Sequence, residues 1–406
     1  MFKSMIMAPP DPILGLSKIY HSDTKKNKIN LGIGVYIEKF HAAPILESVK
    51  QAEDLLLKKE ISKNYLAIEG SNDFNNANQT LLFGPNDSII SKNRIRTVQA
   101  PGGTGALRIA AECIAKYDNT INKKRRIWIS EPSWVNHKNI FFAAGLEVCT
   151  YPYYQKSTHS IEFDKLIDTF NNIVKPGDIV LLHGCCHNPT GMDPTIEQWK
   201  MLSECAEKNR WIPLFDLAYQ GFDNGLQEDL IGLHMFCKNN PELIVCNSYS
   251  KNFGLYNERV GACTIITENN NHADCVLSQL RATIRAIYSN PPAHGAAIVS
   301  TILQNKTLRF IWEKELKNMR DHIKNMRKLL FNTLNKYKNS KVINQDFSFI
   351  NNQKGMFAYI GLNSNQVIKL REELGIYLVD SGRLNLAGLS HKNIDYICNA
   401  ICNLYI

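Results

Sequence analysis

A chain of 406 residues, 44% hydrophobic and 21% charged, is long enough for two domains with deep cores and too apolar to be disordered or fibrous. Its formal net charge of +9 comes from lysines and arginines spread along the chain, which argues against nucleic acid as a partner and suits small acidic substrates. No run reaches the roughly 18 apolar residues of a membrane span, no targeting signal is evident, and eleven cysteines without a CxxC pair point to a reducing compartment, by default the cytoplasm.

In chain order, the first periodic segment covers residues 44–65, where Ile45, Val49, Ala52, Leu55 and Leu56 recur at helical spacing behind a proline. Gly102-Gly-Thr-Gly105 opens a second helix, with Ala106, Leu107, Ala110, Ala111 and Ile114 on its apolar face. The basic run Lys123–Arg126 reads as a solvated turn. Short strand-like runs follow at 126–130, 178–183, 212–216, 243–247 and 260–266, separated by helical segments such as 194–208. This alternation predicts an α/β fold with a mainly parallel sheet covered on both faces. A long helix is predicted over 307–337. It is followed by a strand at 356–360, a helix at 365–374 stopped by Gly375, and a last helix opened by Ser390. This tail reads as a smaller α+β domain.

In open parallel sheets, ligands bind beyond the carboxyl ends of the strands. The residues that follow four of the predicted strands are informative there. Ser130 leads to Trp134, His183 to Asn188, Asp216 to Tyr219, and Asn247 to Ser248, Ser250 and Lys251. Ordinary loop chemistry explains each alone; their joint placement carries the argument. Lys251 lies directly after a buried strand, with Arg259 eight positions on. A neighbouring cation depresses a lysine pKa and makes the amine a carbonyl nucleophile. Arg259 and the hydroxyls of Ser248 and Ser250 also suit a phosphate dianion, as do backbone N–H groups at the glycine-rich helix start. That motif lacks the lysine of a P-loop, and Gly32-Ile-Gly34 lacks the third glycine of a dinucleotide fingerprint, so neither ATP nor NAD is expected.

Asp216, ending its strand in a buried crevice, needs a cationic partner such as a protonated pyridine nitrogen. Tyr219 and Asn188 can reach the phenolic oxygen of the same ring, and Trp134 can stack on its face, although a buried tryptophan is more often plain core. His183, Cys185, Cys186 and His187 imitate a metal site, but four ligands in five positions cannot easily surround one ion, so no metal is expected.

The segments 8–16, 101–107, 132–137, 183–191, 216–222, 248–261, 288–292 and 381–383 resemble, in order, the aspartate aminotransferases of the fold-type I pyridoxal-phosphate enzymes. Among them are Pro101-Gly-Gly-Thr-Gly105, His183-Gly-Cys-Cys-His-Asn-Pro-Thr-Gly191, Ser248-Tyr-Ser-Lys251 and Ser381-Gly-Arg383. The match spans essentially the whole chain. It implies a large pyridoxal-phosphate-binding domain over 44–321 with a seven-stranded, mainly parallel sheet covered by helices. A smaller α+β domain would come from 13–43 and 322–406, and an N-terminal arm from 1–12 would reach a second subunit of a homodimer with shared active sites. Lys251 would form the Schiff base with pyridoxal 5′-phosphate and later shuttle a proton, with Asp216 and Tyr219 completing the catalytic group and His137 supporting Asp216. Gly103, Thr104, Ser248, Ser250, Arg259 and the partner's Tyr65 would surround the phosphate.

For substrate, the resemblance implies Arg383 on the α-carboxylate and the partner's Arg285 on the side-chain carboxylate, beside Gly34, Trp134 and Asn188. Two separated, forked guanidiniums select dicarboxylic amino and keto acids. The implied reaction is the reversible ping-pong transamination of L-aspartate and 2-oxoglutarate to oxaloacetate and L-glutamate. An aromatic amino-acid aminotransferase of the same family is the nearest alternative, and a catalytically silent pyridoxal-phosphate-binding interaction protein is a second. The chain departs from the family at 37–43, which is more apolar than the usual glycine-containing turn, and at Asp380, which puts a carboxylate near Arg383.

Overall fold

A computed structural model describes residues 2–9, 11–37, 43–116 and 124–406. The chain divides into two compact units, one of Met1–Ala43, Pro189–Gly191 and His322–Ile406, the other of Pro44–Asn188 and Met192–Asp321. The larger unit is built on seven strands: β1 (Ile95–Pro101), β2 (Arg126–Glu131), β3 (Glu147–Pro152), β4 (Ile179–His183), β5 (Ile212–Leu217), β6 (Leu243–Ser248) and β7 (Val260–Ile266). They are ordered β1-β7-β6-β5-β4-β2-β3. Strands β4 and β6 are buried at every position, and β5 at all but its first, as expected for strands covered on both faces. Helices Gly102–Lys116 and Asn270–Ile287 pack Ala106, Ile109, Ala110, Leu280 and Ile284 against Leu181, Leu214 and Cys246 of the sheet. Each such large aliphatic chain removed from water contributes about 1.5–3 kcal/mol.

Only β7 is antiparallel to its neighbours, β1 and β6. Its reversed direction brings its first residue, Val260, beside Pro101 at the end of β1, while Gly261 faces Ser248 at the end of β6. The amino end of one strand thus joins the carboxyl ends of the others, where polar loop residues collect.

In the smaller unit, β8 (Phe357–Tyr359) pairs antiparallel with β9 (Arg383–Asn385), and Ile29–Asn30 pairs in parallel with Ile376–Tyr377. Helix Ser364–Leu374 starts with a capping box between Asn363 and Gln366 and stops at Gly375, whose φ of 66° is left-handed.

Three sequence expectations change. The helix expected to reach residue 65 is Glu47–Lys59; Ile61 and Tyr65 beyond it are exposed and have no core to hold a further turn. The last helix is Ile394–Asn403, because Ser390 gives its N–H to the Asn393 side chain in a preceding turn instead of capping. The basic run is not simply solvated: Arg125 donates to the Gly177 carbonyl at 3.0 Å and Arg126 pairs with Asp178 at 2.7 Å. Lys123 of that run, Met1 and Pro10 of the expected arm, and 38–42 of the divergent 37–43 segment lie outside the described residues.

Candidate active site

The glycine-rich segment forms an anion cradle for a definite steric reason. Gly102 has φ +75° and opens the helix Gly102–Lys116; a Cβ there would stand 2.4 Å from Arg259 Nη2. A Cβ on Gly103 would stand 3.1 Å from Ser248 Cβ, and one on Gly261 would strike the Gly102 backbone at 2.5 Å. Bare backbone at these positions lets the helix start, Ser248 and Arg259 crowd together. Ser248 Oγ lies 3.1 Å from Ser250 Oγ and accepts the Ser250 N–H at 3.2 Å, and Arg259 Nη1 donates to Ser250 Oγ at 3.4 Å. Thr104 sits in the first turn of the same helix. Arg259 itself has φ +54°, a left-handed backbone that costs an arginine about 1–2 kcal/mol. Helix dipole, hydroxyls and guanidinium all favour an anion here.

Asp216, at the end of β5, is 8% exposed. Its Oδ2 lies 3.0 Å from His137 Nε2. From His137 the polar chain runs on: Nδ1 to Ser133 Oγ at 2.8 Å, then Ser133 Oγ to His183 Nε2 at 3.2 Å. The Asn188 N–H donates to His183 Nδ1 at 3.4 Å, so that nitrogen accepts and Nε2 carries the hydrogen toward Ser133. The His183 ring lies 4.2 Å from that of His187, which bonds Ser130 Oγ at 2.9 Å and stacks on Tyr153 at 4.0 Å.

Burial alone would raise the Asp216 carboxyl. The His137 hydrogen bond, with electrostatic attraction led by the same ring and reaching to Lys251, holds it below the ordinary value instead, so it stays anionic. Burial and then His137 push His183 down to about 3, and burial and then His183 push His187 well below its usual value. Both are buried neutral imidazoles.

Lys251 lies three residues beyond the end of β6, its Nζ 4.8 Å from the centre of the Tyr219 ring. Trp134 meets His137 edge to face at 5.2 Å. The larger unit therefore gathers Lys251 with Tyr219, Asp216 with His137 and Trp134, and Gly103 with Ser248, Ser250 and Arg259. Tyr65 is 92% exposed, Arg285 is also exposed and bonds Ser289, and neither makes a hydrogen bond or ion pair with that group on its own chain.

In the smaller unit Arg383 is 3% exposed, donates to the Gly32 carbonyl at 3.0 Å and lies 4.0 Å over the Phe357 ring. Asn385 Nδ2 donates to the carbonyls of Ile33 and Val35, which fixes the segment containing Gly34. Asp380 turns to Arg371, with Nη1–Oδ1 at 3.0 Å, so its carboxylate has a partner other than Arg383. Sequence reasoning named His183 and His187 only as an improbable metal cluster and left Ser133 and Phe357 without a role. A buried histidine needs a polar partner, and serines at the end of a neighbouring strand were the available signal.

The family model for aminotransferase class I and II matches residues 26–401. The chain is 53% identical over 401 residues to aspartate aminotransferase of Escherichia coli (strain K12), covering 99% of each chain. It is 50% identical over 401 residues to that of Haemophilus influenzae, again covering 99% of each. Among solved structures, an aromatic-amino-acid aminotransferase from Burkholderia pseudomallei covalently bound to pyridoxal phosphate superposes with a TM-score of 0.94 at 43% identity, covering 100% of both chains. With matches of this length, the chain belongs to the class I and II aminotransferases.

Proposed function

We propose that the chain is an aspartate aminotransferase, exchanging amino groups between L-aspartate and 2-oxoglutarate with pyridoxal 5′-phosphate as cofactor. The observation that carries this is the gathering of a lysine, a buried aspartate and an anion cradle at the carboxyl ends of one sheet, in a chain that is 53% identical to an enzyme of that name. The residues fit the cofactor: the cradle that a Cβ at Gly102 would fill suits the phosphate, and Asp216, kept anionic, suits a protonated ring nitrogen.

When bound, the cofactor supplies an aldehyde that condenses with amines and a protonated ring that withdraws electrons from the substrate. Lys251 Nζ is the chain's nucleophile and afterwards the base that moves the substrate Cα proton. Asp216 would pair with the ring nitrogen and keep it protonated. With the cofactor bound, Tyr219 and Asn188 would serve its phenolic oxygen, Trp134 would pack against its ring, and Gly103, Thr104, Ser248, Ser250 and Arg259 would bind its phosphate. Arg383 holds the α-carboxylate, beside Gly34.

Tyr65 and Arg285 act in the active site of a second copy, which makes the enzyme a homodimer; their exposure and lack of bonds to the Lys251 group support this. Residues 44–321 then form the cofactor domain, 13–43 with 322–406 the smaller domain, and 1–12 an arm toward the second copy. Eleven free cysteines support the cytoplasm as its location, and among the described residues no helix is long and apolar enough to cross a membrane.

The Burkholderia structure favours a second reading, an aromatic amino-acid aminotransferase. Measuring kcat/KM with aspartate and with phenylalanine separates the two. The proposal expects aspartate to be preferred by well over tenfold, and equal values or a preference for phenylalanine would overturn it.

A further inference from the structure

Arg383 needs more than charge to recognise a carboxylate. Two parallel N–H···O bonds form only if the guanidinium plane and the carboxylate plane coincide, so the orientation of that plane sets the affinity. A planar cation is fixed in space by one contact on its face and one bond at its edge. In this chain the Phe357 ring supplies the face, 4.0 Å from Arg383 Cζ, and the Gly32 carbonyl supplies the edge at 3.0 Å.

The support is built into the backbone. Phe357 and Arg383 lie on paired strands, with Arg383 opposite Tyr359, so Phe357 sits two residues along β8 on the same face. The strand is braced by Gln353, which donates to the Tyr359 carbonyl at 2.9 Å and accepts the Tyr359 N–H at 2.8 Å. On the Gly34 side, a Cβ would lie 3.3 Å from Phe357 Cζ, tighter than an ordinary contact. Gly34 therefore leaves the ring the space it occupies, and the ring in turn sets the arginine.

We infer that Phe357 is a positioning residue for substrate recognition, a platform that fixes the Arg383 guanidinium, and that Gly34 acts on recognition through this ring. This rests on the reading that Arg383 binds the substrate carboxylate. Because the platform orients a group that holds a carboxylate, its loss is read in binding, with kcat as the control.

The test compares wild type with Phe357→Leu, Phe357→Tyr and Gly34→Ala, using steady-state kinetics with aspartate and calorimetric binding of succinate, an unreactive dicarboxylate. Loss of the ring face should raise KM and the succinate Kd about tenfold, the size of a desolvated cation–π contact, with kcat changed less than about twofold. Phe357→Tyr keeps the ring and should retain near wild-type values. Gly34→Ala should weaken succinate binding in the wild-type background and have a smaller effect when combined with Phe357→Leu. If Phe357→Leu binds succinate as wild type does, or loses kcat with KM unchanged, the inference fails. If Phe357→Leu does not fold, as judged by its unfolding midpoint, the Tyr and Gly34 variants decide: tight binding by Gly34→Ala overturns the platform. Wild type that turns over no aspartate yet binds succinate would instead overturn the proposed function, so the two failures are distinguishable.

Discussion

The two charges to which the proposed function gives the cofactor ring and the substrate carboxylate are secured in opposite ways. Asp216 in the larger unit is held through a file of imidazoles and hydroxyls, His137, Ser133, His183, His187 and Ser130. Arg383 in the smaller unit lies over an aromatic face and donates to a backbone carbonyl. The first arrangement controls a charge state, because burial alone would raise the carboxyl and the polar chain reverses that. The second controls an orientation, because a guanidinium stays charged in any setting. The two halves should therefore fail differently: damage to one appears in kcat, damage to the other in KM.

The sharpest break is Asp216→Asn. It keeps the shape but removes the charge, and should lower kcat by about 10²–10³-fold, the scale for losing one preorganised electrostatic group. Steady-state kinetics at saturating aspartate checks this; a change confined to KM would erase the distinction between the halves. Next in size, Arg383→Lys exchanges a forked donor for a point charge. It should raise the aspartate KM about 10–100-fold with a smaller change in kcat, from the loss of a bidentate charged hydrogen bond. Arg285→Leu sharpens the comparison by substrate. It should cost about tenfold or more in kcat/KM for aspartate and leave phenylalanine nearly unaffected. Parallel losses on both substrates would remove Arg285 from side-chain recognition.

The smallest effect concerns stability. His183 is pushed down to about 3 and His187 well below its ordinary value, so below pH 6.5 the unfolded chain binds protons that the native chain does not. The stability of the neutral network is fully present above about 6.5 and is lost as pH falls, by up to about 1.4 kcal/mol per pH unit for each histidine. Urea midpoints between pH 7 and 5 should therefore fall, and His187→Gln should flatten that slope. A wild-type profile that is flat over this range would contradict burial of neutral imidazoles.

Much of this was legible in the sequence, for identifiable reasons. Strands β4 to β7 are continuous apolar runs, and Lys251, Asp216 and Arg259 stand at their ends. Strand β1 was not read, because Thr97 and Gln99 are buried on it and find partners in Thr264 and the Pro292 carbonyl, contacts no local pattern announces. Edge strand β3 is partly exposed and gave too weak an apolar signal. The reversal of β7, which brings Arg259 to the cradle, also has no local signature. Within the site, the support of Asp216 by His137 was expected, but the rest of the file escaped because its links from Ser133 to His183 and from Ser130 to His187 span 50 and 57 positions. The Phe357 platform escaped for the same reason, since a phenylalanine in a short apolar strand reads as core.

The most direct test of the account asks which amine holds the cofactor. Purified protein loaded with pyridoxal 5′-phosphate is reduced with borohydride, digested and mapped by mass spectrometry. One phosphopyridoxyl mass addition is expected, on Lys251, and none in Lys251→Ala. A label on another lysine, or none on wild type, would contradict it.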